Sequence, residues 1–174
     1  MTRHLLFVCH ANIVRSRAAE LLARDYDGVN GDWEFDSAGV HALTGHPVDT
    51  DMGQALAAYG IDTAGSRGAR QIDGDHIDAA DLILTFERAH RDFVVRNFPV
   101  AARRTLTLRR AAQLLENPPR RAEGVSLCVN DDRAYTEADD FADPVGLGPA
   151  AAVAAAAEIH QLLAVTLRGI GAIR

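Results

Sequence analysis

The chain alternates short apolar runs with segments of helical periodicity. The run from Leu5 to Val8 is continuously apolar, as in a central parallel strand that is covered on both faces. Three more segments predict strands: 33–39, where apolar and polar positions alternate, and the apolar runs 81–86 and 105–108. Helical patterns cover 16–26, 52–59, 87–97, 110–115 and 149–167. Strands that alternate with helices predict a three-layer α/β fold, with a four-stranded parallel sheet flanked by helices.

The last helical segment is the longest, and Pro149 at its start is tolerated in a first helical turn. One face of this segment carries small and apolar residues at helical spacing, and we expect it to pack in the core. That face comprises Val153, Ala156, Ala157, His160, Leu163, Ala164 and Leu167. The acid-rich stretch 116–140 predicts no regular element. Because no linker or internal repeat interrupts the chain, residues 1–174 are expected to form a single domain.

Composition and charge exclude several classes of function. The net charge is −6, and the 18 basic residues are all arginines scattered along the chain, so no basic face for nucleic acid is expected. Two cysteines, Cys9 and Cys128, make neither a disulfide framework nor a metal site, and we expect no cofactor. A protein that uses a thiol fits the reducing cytoplasm. No signal-peptide layout precedes the first strand and no apolar run reaches the ~18 residues of a membrane span, so no membrane partner is expected.

The residues that follow the first strand carry the candidate chemistry. A helix that begins at the carboxyl end of a strand presents unpaired backbone N–H groups, and successive loop amides form a nest for phosphate. An arginine there can hold two phosphate oxygens, and a cysteine beside a helix N-terminus and a cation favours the thiolate, which is the nucleophile. These residues are Cys9, His10, Ala11, Asn12, Ile13, Val14, Arg15 and Ser16.

A cysteine at this position could also be only a small buried residue that ends a core strand. The arginine six positions later, the serine that follows it and the predicted strand, loop and helix favour the catalytic interpretation. The sequence therefore predicts a phosphate-binding loop directly after the first strand, with Cys9 as its nucleophile.

Cys9-x5-Arg15-Ser16 near the start of the chain, together with Asp143-Pro144 before the last helix, resembles the low-molecular-weight protein tyrosine phosphatases. The segments 36–39 (Asp-Ser-Ala-Gly) and 69–71 (Ala-Arg-Gln) also match segments of that family. The resemblance covers nearly the whole chain. Proline restricts the backbone of the residue before it, which distinguishes Asp143 from the other acids nearby.

The resemblance implies a two-step mechanism. Cys9 attacks phosphorus, Arg15 and the loop amides hold the phosphate oxygens, and Asp143 is the general acid and then the general base. Asn12 and Ser16 are expected to support the loop, and Ser37 to brace Asn12. The residues expected to contact substrate are His10, Ala11, Asn12, Ile13, Val14, Ser16, Leu43 and Val145.

The sequence also departs from the family pattern. Ala11 replaces a glycine, which would introduce strain of about 1 kcal/mol if that position required a positive φ. Leu43 and Val145 stand where the family carries aromatic walls of the substrate pocket. Ile13 stands where phosphoarginine phosphatases of the family carry threonine, and it favours a flat aromatic phosphoester. The loop around Leu43 resembles the bacterial branch, whose partners are tyrosine-phosphorylated proteins, including autophosphorylating tyrosine kinases of exopolysaccharide export.

Two other functions are compatible with part of the pattern. A thioredoxin-coupled arsenate reductase uses the same loop on the same fold, but it needs two further cysteines near the helix after the third strand. No cysteine lies between Leu82 and Asp92, and Cys128 alone cannot complete that relay. A non-catalytic phosphate-binding module would be favoured by the loss of Cys9, Arg15 or Asp143, and all three are present.

Overall fold

Four parallel strands form one sheet in the computed structural model, which describes residues 1–119 and 122–173. The strands are β1 (Arg3–Cys9), β2 (Trp33–Gly39), β3 (Leu82–Thr85) and β4 (Thr105–Thr107). Their order across the sheet is β2-β1-β3-β4, and every neighbouring pair is parallel. The predicted α/β class and the four predicted strands are therefore confirmed, and β1 and β3 occupy the two central positions.

Seven α-helices connect and follow the strands in the described part of the chain. They are α1 (Arg15–Arg24), α2 (Thr50–Ala57), α3 (Gly74–Ala79), α4 (Arg88–Asn97), α5 (Leu108–Glu116), α6 (Gly124–Val129) and α7 (Pro149–Gly169). Short 3₁₀ helices occupy Pro99–Arg104 and Glu137–Asp139. Helices α3 and α6 were not predicted, because six residues are too few to show helical periodicity. Leu108 was predicted to end the last strand, whereas the Thr107 side chain caps a helix that begins at Leu108.

The helices cover both faces of the sheet. Leu5 and Phe7 of β1 point into a large apolar cluster that includes residues of α1, α2, α5 and α7. Leu6 and Val8 point to the opposite side, into a smaller cluster with residues of α3 and α4. This alternation along β1 explains its continuous apolar run, since both faces of a central strand are buried. The three-layer arrangement is confirmed.

Helix α7 packs in the core as expected, but its buried face is rotated from the predicted one, with which it shares only Ala156, Leu163 and Leu167. Val153 is 57% exposed, although it was expected to be buried. The alanines around this helix give it a weakly amphipathic pattern, so the sequence does not fix which side faces α1, α2 and α5. The buried residues are Ala152, Ala155, Ala156, Ile159, Leu163, Thr166 and Leu167.

By length and composition alone, α7 is also long and apolar enough to cross a membrane. This is weak evidence, because core helices pass the same test, and α7 packs against three other helices.

The end of β2 lies against the loop that follows β1. A Cβ atom at Gly39 would lie 2.6 Å from the carbonyl oxygen of His10 and 3.0 Å from the backbone nitrogen of Asn12. The N–H groups of Val40 and His41 also donate to the carbonyls of Cys9 and His10. The loop that follows β1 is therefore supported by direct backbone contact, and this contact requires glycine at position 39.

We predict that Gly39→Ala lowers the free energy of unfolding by about 1–3 kcal/mol, because the added methyl group forces the loop away from β2. Urea denaturation of the variant and the wild type measures this difference. Gly31→Ala is the matched control, since a Cβ atom there would have nothing within 4 Å. Equal losses of unfolding free energy in the two variants would show that the backbone contact at Gly39 leaves room for a side chain.

Candidate active site

Residues 10–14 form a loop between the end of β1 and the start of α1, at the carboxyl edge of the sheet. The carbonyls of Cys9, His10, Ala11 and Ile13 accept N–H groups from segment 40–49 at 2.9 to 3.1 Å. In contrast, the N–H groups of residues 11–14 donate to no other group within 1–119 and 122–173. A run of paired carbonyls and successive unpaired amides is the arrangement of an anion-binding nest.

Asn12 holds the turn of this loop. Its φ of 59° is in the left-handed region, where asparagine is one of the better tolerated residues. Its Nδ2 donates to Ser16 Oγ at 2.9 Å and to Ser37 Oγ at 2.8 Å, while its Oδ1 accepts the N–H of Arg70 at 2.8 Å. Ala11 has no positive φ, so the strain considered for that residue does not arise.

The thiol of Cys9 lies at the base of the loop. Cys9 is buried, and its Sγ is 2.9 Å from Ser16 Oγ. Because Ser16 Oγ already accepts a hydrogen bond from Asn12, its own proton is free to be donated to the sulfur. A hydroxyl that donates to the sulfur stabilises the thiolate, which is the form needed for nucleophilic attack.

Arg15 is buried at the first position of α1, with 2% of its surface exposed. Its Nη1 donates to the Phe141 carbonyl at 2.8 Å and to Glu87, and its Nη2 donates to Asp143 Oδ2 at 3.0 Å. The guanidinium also lies over the ring of Phe86. The orientation of Arg15 is thus fixed from two separate segments, the start of α4 and the loop before α7.

Asp143 lies beside Arg15, as a shared site requires. Its side chain is 42% exposed, and its Oδ1 accepts the N–H of Val145 at 3.2 Å across Pro144. The structure therefore pairs Asp143 with Arg15, 128 residues earlier in the sequence, and Cys9 with Ser16, the residue that follows Arg15. Glu87 was not expected in the site, although its place directly after β3, at the edge where ligands bind in such sheets, could have indicated it.

A buried group of charges lies beneath the loop. Glu20 on α1 is fully buried, and its Oε2 accepts hydrogen bonds from Ser37 Oγ at 2.6 Å, Arg17 Nη1 at 2.5 Å and Arg67 Nη2 at 2.6 Å. Ser37 is the residue that contacts Asn12. The sequence analysis missed this group because Arg17 and Glu20 have the spacing of an ordinary exposed ion pair on a helix.

A cavity of about 440 Å³ opens next to Arg15 and Asp143. Leu43 and Val145 were expected to form its walls, but neither lines it, and both are about half exposed. This expectation was wrong because it assigned the walls from the family's aromatic positions. The lining residues are His10, Arg15, Val40, His41, Glu87, Ala89, His90, Phe93 and Asp143.

Aromatic and imidazole rings form one side of this cavity. His10 stacks on His41 with ring centroids 5.0 Å apart, and His41 meets the edge of Phe93 at 5.5 Å. His90 lies 6.5 Å from His10. The rings come from the loop after β1, the segment after β2 and helix α4. Sequence analysis could not assemble them, because no local pattern links the three segments.

Metal ligation and a second thiol are the other chemistry that the composition raises. No group of three or more metal-ligating side chains occurs within 1–119 and 122–173. Cys128 is buried and free, and burial, with a contribution from Asp131, raises the pKa of its thiol to about 12, so it stays protonated.

His90 is a titratable group of the cavity whose pKa is changed by its surroundings. Burial and the charge of Arg15, with His10, lower its pKa from 6.5 to about 3. Its Nδ1 accepts the N–H of Glu87 at 3.2 Å, which only the neutral imidazole can do. His90 therefore caps α4 in its uncharged form.

We predict that this histidine makes the fold less stable as the pH falls from about 6.5 to about 3. In this range the unfolded chain binds a proton at residue 90 and the folded chain does not, so acid favours unfolding. His90→Gln keeps a hydrogen-bond acceptor without the titration. Urea denaturation at several pH values should show a shallower loss of stability in the variant than in the wild type. Parallel curves for the two proteins would contradict the assignment of a neutral His90.

Comparisons with known proteins agree with this geometry. The model of the family described as low molecular weight phosphotyrosine protein phosphatase matches residues 4–117. That match includes the loop after β1 and Glu87, and it ends before Asp143.

Two curated relatives are similar to the chain. A probable low molecular weight protein-tyrosine-phosphatase EpsP of Ralstonia nicotianae is 36% identical over 100 residues, which are 57% of this chain and just under two thirds (66%) of the relative. A protein-arginine-phosphatase of Geobacillus stearothermophilus is 35% identical over 111 residues, which are 63% of this chain and 71% of the relative.

Solved structures extend the similarity to almost the whole chain. The YwlE arginine phosphatase from Geobacillus stearothermophilus has a TM-score of 0.77 and 25% identity, over 97% of this chain and 93% of that one. The Erwinia amylovora tyrosine phosphatase amsI has a TM-score of 0.74 over the same shares, and its 22% identity supports the fold alone.

Proposed function

Because the chain belongs to the low molecular weight phosphotyrosine protein phosphatase family, we propose that it hydrolyses phosphotyrosine in proteins through a phosphocysteine formed on Cys9. The observation that carries this proposal is the convergence of three groups on one site. Cys9 ends the strand that precedes a loop with unpaired amides, buried Arg15 begins the helix that follows this loop, and Asp143 is hydrogen-bonded to Arg15. These are a nucleophile, a phosphate clamp and a proton donor, which suffice for transfer of a phosphoryl group.

In the first step, the Cys9 thiolate attacks phosphorus, an S–P bond forms, and the bond between phosphorus and the phenol oxygen breaks. The loop amides and Arg15 hold the three remaining phosphate oxygens, where charge is spread in the transition state. The carboxylic acid of Asp143 gives its proton to the departing oxygen, so that tyrosine leaves as a neutral phenol.

In the second step, water attacks the phosphocysteine. The Asp143 carboxylate accepts a proton from that water, the S–P bond breaks, and inorganic phosphate and the Cys9 thiolate are released. The Ser16 hydroxyl, 2.9 Å from Sγ, stabilises the thiolate as it leaves. Asn12 and Ser37 take part as supports, because they fix the position of that hydroxyl.

The substrate class follows from the walls of the cavity. The stacked His10 and His41 and the ring of Phe93 offer flat surfaces on which a tyrosine ring can pack. The partner we propose is a tyrosine-phosphorylated protein in the reducing cytoplasm, such as an autophosphorylating bacterial tyrosine kinase. Leu43 and Val145, which lie outside the cavity lining and are half exposed, would contact such a protein around the phosphotyrosine rather than the tyrosine ring itself.

Phosphoarginine is the second candidate substrate, because a protein-arginine-phosphatase is among the similar proteins and a YwlE structure has the same fold. Ile13 distinguishes the two substrates. Its partly buried aliphatic side chain cannot accept a hydrogen bond from a guanidinium group, whereas a threonine hydroxyl there could do so.

Two alternatives fit less well. Arsenate reduction through this loop would need two more cysteines close to Cys9, and the chain has only Cys128 besides. A module that only binds phosphate would not need a buried thiol hydrogen-bonded to a serine, nor a carboxylate beside the clamp arginine.

We predict that the wild-type protein hydrolyses p-nitrophenyl phosphate, with activity highest at acidic pH because the general acid must carry its proton. Cys9→Ser should abolish release of p-nitrophenol, since a serine hydroxyl at this site is not ionised. Asp143→Ala should lower kcat by roughly 10²- to 10⁴-fold, the usual contribution of a general acid. Absorbance of p-nitrophenolate after quenching in base measures all three rates.

Asp132→Ala is the matched control for this series, because Asp132 is an exposed acid of the same acid-rich segment. It should retain the wild-type rate. Arsenate-dependent oxidation of thioredoxin should be absent from every protein. Hydrolysis by Cys9→Ser at the wild-type rate would eliminate the proposed function, and so would an inactive wild type.

We further predict that the wild type prefers a phosphotyrosine peptide to the phosphoarginine peptide of otherwise identical sequence. Ile13→Thr should shift the ratio of the two kcat/KM values toward phosphoarginine, because the hydroxyl can accept a guanidinium N–H. Release of inorganic phosphate measures both reactions, and Ile13→Val, which keeps an apolar branched side chain, should leave the ratio unchanged. A wild type that prefers phosphoarginine would transfer the proposal to the second candidate.

A further inference from the structure

The segment before Asp143 is held by a buried arginine that the proposed mechanism does not use. Arg110 lies on α5 and is 4% exposed. Its guanidinium holds Asp139 with two parallel hydrogen bonds, both 2.9 Å long, and Asp131 at 2.8 Å. It also donates to the carbonyls of Arg133 at 3.2 Å and Ala134 at 2.8 Å. The Arg110 side chain thus contacts residues from both ends of segment 131–139, which we call the acid-segment loop.

Further contacts fix this loop around the same side chain. The ring of Tyr135 lies between two guanidinium groups, 4.4 Å from that of Arg110 and 4.5 Å from that of Arg91. Asp139 also accepts the N–H of Thr136 at 2.7 Å. Burial opposes the ionisation of Asp139, but the hydrogen bonds from Arg110 hold its pKa below the usual range. The loop therefore closes around the ion pairs of Arg110 with Asp131 and Asp139.

The residues after the acid-segment loop connect it to the candidate active site through a series of contacts. Asp140 accepts the backbone N–H of Arg88 at 2.7 Å and its Nε at 3.0 Å, at the start of α4. The N–H of Phe141 donates to the carbonyl of Phe86 at 2.8 Å, and its own carbonyl accepts from Arg15 at the same distance. Asp143 follows two residues later, so short contacts at Asp140 and Phe141 hold the segment that connects the acid-segment loop to its carboxyl group.

Asp143 itself has few restraints. Its carboxyl group is hydrogen-bonded to Arg15 and to the N–H of Val145, and the chain beyond it contains Gly146 and Gly148, both with positive φ. The position of the Asp143 carboxyl group therefore depends on the segment that precedes it. A displacement of about 1 Å in a catalytic group can cost roughly 10²-fold in rate.

We propose that Arg110 is a positioning residue that sets the place of the Asp143 carboxyl group, by anchoring the acid-segment loop. The inference rests on the proposed function, in which Asp143 gives its proton to the leaving oxygen. It also assigns a role to part of the stretch 116–140, for which the sequence suggested none.

The leaving group distinguishes positioning from a general structural role. Phenyl phosphate needs a proton on its leaving oxygen, whereas 2,4-dinitrophenolate is stable enough to leave without one. Arg110→Met should therefore lower kcat/KM for phenyl phosphate by about 10- to 100-fold. It should leave kcat/KM for 2,4-dinitrophenyl phosphate within about twofold, because nucleophile and clamp are intact. A merely destabilised enzyme would lose both activities by the same factor.

The matched controls separate the possible causes. Leu163→Ala removes a fully buried side chain of α7, so it should lower the melting temperature while leaving the ratio of the two kcat/KM values unchanged. Arg110→Lys keeps the charge without the two parallel hydrogen bonds and should give an intermediate ratio. In an Asp143→Ala background, Arg110→Met should have little further effect on phenyl phosphate, since the group that it positions is gone.

If Arg110→Met does not yield folded protein, Asp140→Asn tests the next contact between the acid-segment loop and Asp143. It should change the ratio of the two kcat/KM values in the same direction. The inference is overturned if this ratio is unchanged in the folded Arg110→Met variant, or in Asp140→Asn where that variant replaces it. Full additivity with Asp143→Ala overturns it as well. The proposed function fails separately, if Asp143→Ala in the otherwise wild-type chain does not affect phenyl phosphate more than 2,4-dinitrophenyl phosphate.

Discussion

The guanidinium of Arg15 joins three parts of the chain that are distant in sequence. It begins α1 at the end of the loop after β1, and it donates to Glu87 at the start of α4 and to Phe141 and Asp143 before α7. A buried arginine needs partners for its charge, and these groups supply them. The loop after β1 and the Asp143 carboxyl group therefore share one anchor, on which the geometry of the candidate site depends.

The edge formed by the end of β3 and the start of α4 supports both halves of this site. Phe86 offers its carbonyl to the segment before Asp143, Glu87 pairs with Arg15, and Arg88 binds Asp140. On the other side, fully buried Glu20 fixes Ser37, which in turn holds Asn12 and the loop. Glu20 also accepts hydrogen bonds from Arg17 and Arg67, so the rigidity of the loop depends on contacts from several elements.

The loop after β1 and the fold could be predicted from local sequence, whereas the surroundings of the loop could not. Cys9, Asn12, Arg15 and Ser16 are neighbours in sequence, and the alternation of strands and helices places them at a ligand-binding edge. The site is supported through contacts between separate elements by Glu87, Glu20 and Arg110. In the sequence, these charged residues look like ordinary surface residues. Local sequence also could not predict the ring wall of His10, His41 and Phe93 or the buried face of α7, since only packing between elements decides them.

The central claim is that the sulfur of Cys9 receives the phosphoryl group in a site whose proton donor is Asp143. Rapid quenching of an Asp143→Asn variant during turnover of 2,4-dinitrophenyl phosphate tests it directly, because loss of the general base slows the second step and lets the intermediate accumulate. Mass spectrometry of the quenched protein should find one phosphoryl group, attached to Cys9. Continued turnover with Cys9 unmodified, or with the phosphoryl group on another residue, would contradict the account.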